Sequence, residues 1–285
     1  MAHLILEVYP DGSSLAIPVL MKWICSAILL TVAISVPHMN QRAQTPRSAT
    51  EDSIVIRGRS QVLHLYGTRG SGAPVVVSSG DGGWVHLAPH VAEFLADKGF
   101  FVVGFDAKAY LESFTTGSST LRTQDEPGDY RQLAEYAGHV SRGSAQKPIL
   151  IGVSEGAGLS VLAATDTQTK SRIGGVIGLG LPDINELAWR LKDSIIYITH
   201  AVPNEPTFSV AGIIERVSPL PLAAIHSTQD EFVPLAEAQK IMERADAPKK
   251  LWVVQASDHK FSGNIAEFDA RLLEAIQWVI QNQPR

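Results

Sequence analysis

The stretch PILIGVSEGAGLSVLAA, Pro148 to Ala164, constrains this chain most: an apolar strand enters Gly152-Val-Ser-Glu-Gly156 and a helix-forming segment leaves it. A serine on so sharp a strand-to-helix turn needs strained backbone angles and close approach of neighbouring chain, which flanking glycines permit. The pattern is that of a nucleophile elbow. It would expose Ser154 above a sheet edge and aim the N–H of Glu155, at the start of the helix, toward an oxyanion formed beside the serine. G-x-S-x-G alone turns up by chance in about one chain in ten of this length. The apolar Ile149-Leu-Ile151 before it and the helix-forming Leu159 to Ala164 after it make the context specific.

The 285 residues are 45% hydrophobic, enough to bury the core of one large domain. The formal net charge of -5, with no basic stripe, gives no electrostatic reason to expect nucleic acid. A small-molecule or lipid acyl substrate is the expected partner. Near the N-terminus, Met21-Lys22 precedes an apolar run from Trp23 to Val36, which matches the charged and hydrophobic regions of a secretory leader. Residues before Met21 are mixed in character, so translation is expected to start at Met21. Cleavage fits Ala33-Ile-Ser35 or the region of Ala43, and an uncleaved anchor in contact with a membrane surface stays open. Residues 1–43 are thus read as leader or anchor plus the start of a linker, and 44–53 as linker. The one cysteine, Cys25, lies in the leader, so a mature domain would have no disulfide, catalytic thiol or cysteine-zinc site.

From Ile54 onward the chain reads as one α/β domain, 54–285. Ile54 to Ile56 and Gln61 to Tyr66 suggest an opening antiparallel hairpin. Short apolar runs buried on both faces follow at Pro74 to Ser78, Phe100 to Phe105, Pro148 to Val153, Gly175 to Leu181, Leu222 to His226 and Lys250 to Gln255. They alternate with helices expected at Val85 to Lys98, Asp129 to Val140, Glu155 to Thr165, Leu235 to Ala245 and Asn264 to Gln281. An antiparallel start followed by βα alternation is the order of the α/β-hydrolase fold, with a mostly parallel sheet and helices on both faces. Between 182 and 221 five prolines interrupt a segment containing Ile195 to Thr199, too long for a simple connection. It reads as a small cap, either gating the site or serving as an ordinary connection.

A serine hydroxyl needs a base to take its proton, and that base needs a carboxylate to hold one tautomer. The chain order in this fold is serine, acid, histidine, with acid and histidine in loops after late strands. Asp230 follows the strand Leu222 to His226, and His259 follows Leu251 to Gln255. Asp230 is therefore the expected orienting acid and His259 the general base. Glu231, Asp183 and Asp258 compete for the acid's place. His86 and His90 are four apart but have no third ligand at motif spacing, so no metal is expected. His64, His139, His200 and His226 read as structural or surface residues. No cofactor is required by this chemistry.

The second oxyanion donor is expected from the loop after the third strand, Ser78-Ser-Gly-Asp-Gly-Gly-Trp84. Asp81 or Gly82 could present the N–H, and Trp84 could wall an acyl pocket or be a core residue at a tight turn. Gly80-Asp-Gly-Gly-Trp84, with Val102-Val-Gly-Phe-Asp106 and His259-Lys-Phe-Ser-Gly-Asn264, resembles the bacterial virulence-protein family named for VirJ and AcvB over about Pro74 to Asn264. The resemblance implies a periplasmic α/β-hydrolase with Ser154, Asp230 and His259 on the matching positions, linked to secretion systems and to hydrolysis of aminoacylated phosphatidylglycerol. The family usually has an aromatic residue before the serine and phenylalanine-glycine-alanine-aspartate after it, where this chain has Val153 and Glu155-Gly-Ala-Gly158. The segment Asp106 to Phe114 also lacks the family's usual aromatic pattern. The expected activity is an exported serine esterase. The rival expectations are a non-catalytic envelope binding or assembly protein on the same scaffold, and a peptidase.

Overall fold

The computed structural model describes residues 49–141, 144–190 and 205–284. The leader, the first part of the linker and Ile195 to Thr199 lie outside the described residues. Strands form where β-branched and aromatic residues run unbroken: β1 (Thr50–Ile56), β2 (Arg59–Tyr66), β3 (Pro74–Ser78), β4 (Phe101–Phe105), β5 (Ile149–Val153), β6 (Gly175–Leu179), then β9 (Leu222–Ser227) and β10 (Lys249–Val254). Among the described residues these eight make one sheet in the order β1-β2-β4-β3-β5-β6-β9-β10. β1 and β2 are antiparallel to their neighbours and the rest are parallel. The parallel strands β3 to β6 are buried at every position, as strands covered on both faces must be.

Helices cover both faces. α1 (Leu87–Asp97) and α7 (Ile265–Gln281) bury Val91, Leu95, Phe268, Leu272 and Ile276 with Val77, Ile151 and Ile177 of the sheet. On the other face α2 (Ala107–Phe114), α3 (Glu126–Val140), α4 (Glu155–Ala163) and α6 (Leu235–Arg244) pack Tyr110, Leu133, Leu159 and Ile241 onto Val76, Val103, Leu150 and Val176. A one-turn helix, α5 (Thr167–Lys170), follows α4. In the expected cap, β7 (Ile184–Glu186) and β8 (Thr207–Ser209) pair antiparallel, and a 3₁₀ turn spans Ile214–Val217.

The structure differs from the sequence expectations at element ends. β1 begins at Thr50, inside the stretch 44–53 expected as linker, because the hairpin register runs from Ile56↔Arg59 out to Thr50↔Leu65. Thr50 to Ser53 are polar because this is an edge strand with one face in solvent. α1 starts at Leu87 rather than Val85, since His86 holds φ at 56° and cannot join a helix. α3 starts at Glu126 rather than Asp129, with Pro127 in the first turn, where a missing N–H costs nothing. α2 was not expected at all. Its Asp106 cap, which accepts the Ala109 N–H at 3.0 Å, is the signal the sequence carried for it.

Candidate active site

The C-terminal ends of β3, β5, β6, β9 and β10 lie along one edge of the sheet, and the loops leaving them carry every predicted site residue. Ser154 sits between β5 and α4 with φ 50° and ψ −116°, a strained conformation for a residue with a side chain. The turn is closed by contact. A Cβ on Gly152 would strike the Gly156 carbonyl, and one on Gly156 would strike the Ser79 carbonyl, so both glycines of the motif are sterically required. Ser154 N–H donates to Leu179 O at 2.8 Å, which fixes the elbow to the end of β6.

Asp230 and His259 come together as expected. His259 Nδ1 lies 2.6 Å from Asp230 Oδ2. A carboxylate only accepts, so Nδ1 carries the proton of this bond. Asp230 Oδ1 accepts the N–H groups of Phe232 (3.0 Å) and Val233 (2.8 Å), and its side chain is fully enclosed. Burial alone would raise this carboxyl's pKa. The hydrogen bond and charge of His259, with the Val233 N–H, overcome burial and hold it below the usual value.

His226, expected to be structural, is buried beside the pair, with Nε2 2.7 Å from Val233 O and 3.6 Å from Asp230 Oδ2. Burial pushes its pKa down, so it stays a neutral prop.

The rival acids have other partners. Glu231 Oε2 accepts the backbone N–H of His259 at 2.8 Å, Asp258 Oδ1 accepts those of Lys260 and Ser262, and Asp183 Oδ1 binds Ser209 Oγ and the Ala211 N–H. Glu231 thus supports the histidine's backbone while Asp230 holds its ring. The ring is packed against Gly180, the residue after Leu179, and meets the edge of Phe232 at 5.5 Å between centroids. Ser154 and His259 therefore converge on Leu179-Gly180. Ser154 Oγ makes no hydrogen bond to His259 or to any other described residue.

The loop after β3 reaches the serine from the other side. Gly83 N–H bonds Gly80 O at 3.0 Å, Trp84 N–H bonds Asp106 Oδ2 at 3.1 Å, and a Cβ on Gly80 would lie 3.3 Å from Ser154 Cβ. The N–H groups of Asp81, Gly82 and Glu155 donate to no acceptor among the described residues. Asp81 directly follows the glycine that touches Ser154, whereas Gly82 is one residue further. Trp84 does not reach the serine side of the loop. Its ring stacks on His64 (4.9 Å, 10°), covers Gly104, and places Nε1 3.4 Å from the Tyr66 hydroxyl. It is a packing residue on β2 and β4, because Asp106 turns the loop toward those strands.

The sequence did not reveal what surrounds Glu155. Its side chain is buried, Oε1 accepts the Glu186 N–H at 2.8 Å, and Glu186 and Asp81 bear on it electrostatically. Burial, then the charge of Glu186, pushes its pKa well above the carboxylate range. No group of three or more histidines, cysteines or carboxylates among the described residues could hold a metal.

The model of the family described as bacterial virulence protein (VirJ) matches residues 73–279. A relative from Salmonella typhimurium strain LT2, the uncharacterized protein YfhR, is 23% identical over 265 residues, covering 85% of this chain and 87% of its own. Among solved structures, the α/β hydrolase GrgF from a Penicillium species superposes with a TM-score of 0.60 at 13% identity, covering 83% of this chain and all of its own. Est1E from Butyrivibrio proteoclasticus gives 0.59 at 14% identity over 81% and 99% of the two chains, and the Pyrococcus furiosus esterase Pf2001 gives 0.58 at 18% over 81% and 90%. At these identities the likeness shows the fold, which is that of the α/β hydrolases.

Proposed function

The chain belongs to the VirJ family of bacterial virulence proteins, and from the geometry of its site we propose that it is an exported serine hydrolase cleaving an ester or related acyl bond. Ser154 Oγ attacks the acyl carbonyl while His259 Nε2 takes its proton. Asp230 holds the ring and stabilises the imidazolium that forms. The tetrahedral oxyanion is received by the N–H groups of Glu155 and Asp81, with Gly82 the neighbouring alternative; a single such donor contributes about a hundredfold or more in rate. His259 returns the proton to the leaving group, and water repeats the sequence on the acyl-enzyme. The observation that carries this reading is the 2.6 Å His259–Asp230 bond, made by a ring packed on the residue next to the one that holds the strained Ser154.

The substrate class favoured is an acyl lipid or small acyl ester. The family resemblance supports aminoacylated phosphatidylglycerol as one candidate. Export is proposed from the charged and apolar run Met21 to Val36, which lies outside the described residues. A fluorophosphonate probe should label wild-type protein and fail on Ser154→Ala, and short p-nitrophenyl esters should be hydrolysed where peptide anilides are not. Folded wild-type protein that takes no label would instead favour the binding or assembly role.

A further inference from the structure

Two residues on the first turns of α4 meet the same short strand. Glu155 Oε1 accepts the N–H of Glu186, and Gly158 leaves the space filled by the amide of Asn185, on which any Cβ at 158 would collide. Asn185 and Glu186 are consecutive residues of β7, and both are buried. β7 leaves the end of β6 only a few residues after Gly180, which carries the His259 ring. Beyond β7 the chain is tied to α2 and the loop after it: Leu121 N–H donates to Leu187 O, Trp189 N–H to Thr115 Oγ1, and Arg190 to Thr116 O. Asn185 Nδ2 is spent on the carbonyls of Pro182 and Asp183. The contact with α4 is thus the one that registers β7 against the serine's own helix.

We propose that Glu155 is a positioning residue: its side chain, with the space left by Gly158, fixes the cap strand β7 beside Ser154 and so sets which acyl chains reach the serine. The inference rests on the hydrolase reading given above. The side chain does this as a neutral acid. The groups that face it are Glu186 on β7, Asp81 on the oxyanion loop and the Tyr130 phenol on α3, so an ionised Glu155 would meet further negative charge. Ionisation would also set a negative charge beside the N–H groups that receive the oxyanion, and it would push β7 away through Glu186. Glutamine reproduces the neutral acid in shape, in the accepting oxygen and in the donor at the other position. Alanine removes both.

The test uses the purified full chain and reads amide hydrogen exchange at Glu186 and the ratio of kcat/KM for a short and a long p-nitrophenyl ester. In Glu155→Ala the Glu186 N–H should exchange about tenfold faster or more, and the ester ratio should shift about tenfold through KM, the scale of one lost buried hydrogen bond. Glu155→Gln, which restores the accepting oxygen, should bring the Glu186 exchange rate and the ester ratio back most of the way toward wild type, whatever it does to kcat itself. Gly158→Ala should shift the ester ratio in the same direction, and combining it with Glu155→Ala should add little, because both changes release one strand. Raising the pH should move the wild-type ratio toward the Glu155→Ala value and leave Glu155→Gln unmoved. Unchanged exchange and ratio in Glu155→Ala, or a Glu155→Gln protein that behaves like Glu155→Ala, would overturn the proposal. If the wild type cleaves no ester, the hydrolase reading fails, and exchange at Glu186 still decides whether Glu155 holds the strand.

Discussion

At the scale of single residues the site is built from opposed electrostatic environments. Asp230 is buried yet held ionised by the imidazole and amide donors around it, whereas Glu155 and Glu126 are buried without cations and held neutral. Asp230→Asn should leave the fold intact and lower kcat by about 10⁴, because an amide favours the wrong histidine tautomer. Steady-state kinetics on the ester used above reads this directly. Glu126 has both carboxyl oxygens enclosed with no partner among the described residues. Unfolded, it ionises near pH 4.3; folded, it keeps its proton, so the folded state binds more protons and stability falls as pH rises above that value. The slope is about 1.4 kcal/mol per pH unit for one such group until its folded pKa is reached. Glu126→Gln removes this penalty. Urea unfolding should show its advantage over wild type to be larger at about pH 8 than at about pH 5.

At the scale of elements, legibility in the sequence followed how much of an element's stability is its own. The buried strands β3 to β6 and the amphipathic α1 and α7 were readable because their apolar patterns are continuous. β7 and β8 were not, since strands of three residues exist only through tertiary contacts such as Glu155 with Glu186. α2 fell between these cases. Asp106 caps it and also accepts the Trp84 N–H, so one carboxylate serves both the helix and the glycine-rich loop after β3. Asp106→Ala should therefore cost about 1–2 kcal/mol of stability, measured by denaturant unfolding, and also lower kcat as the loop loosens. The β1 edge depends on Asp52, whose carboxyl accepts from the Tyr136 hydroxyl at 2.5 Å and from Arg69 at 2.9 Å. The Tyr136 hydrogen bond, then that from Arg69, lowers its pKa to about 2. A depressed carboxyl stabilises above its unfolded value and loses that support as pH falls through its folded one. Exchange protection across the β1–β2 hairpin should accordingly fall on acidification between about pH 4 and pH 2, and the loss should be absent in Asp52→Asn.

At the scale of the whole molecule, the places of Ser154, Asp230 and His259 were legible because strand ends are legible: Ser154 and Asp230 lie just past runs buried on both faces, and His259 just past the half-exposed edge strand β10. What the sequence could not carry is the third dimension of the loops. Trp84 stands in the glycine-rich run that approaches Ser154, yet its ring is turned away onto His64 and Gly104 by a hydrogen bond made 22 residues later in the chain. Glu155 and Gly158 gave no hint that they share a partner strand, because Asn185 and Glu186 lie beyond a whole helix and strand. The described residues hold no helix long and apolar enough to cross a membrane, and the loops at the sheet edge where β3, β5, β6, β9 and β10 end carry Ser154, Asp230 and His259.

We propose that this sheet edge carries an activated serine. Intact-mass measurement of the full chain after fluorophosphonate treatment, followed by peptide mapping, tests it most directly. One adduct on Ser154 is expected in the wild type, none in Ser154→Ala, and one formed far more slowly in His259→Ala. A folded wild-type chain that takes no adduct, or a Ser154→Ala chain that still does, would contradict it.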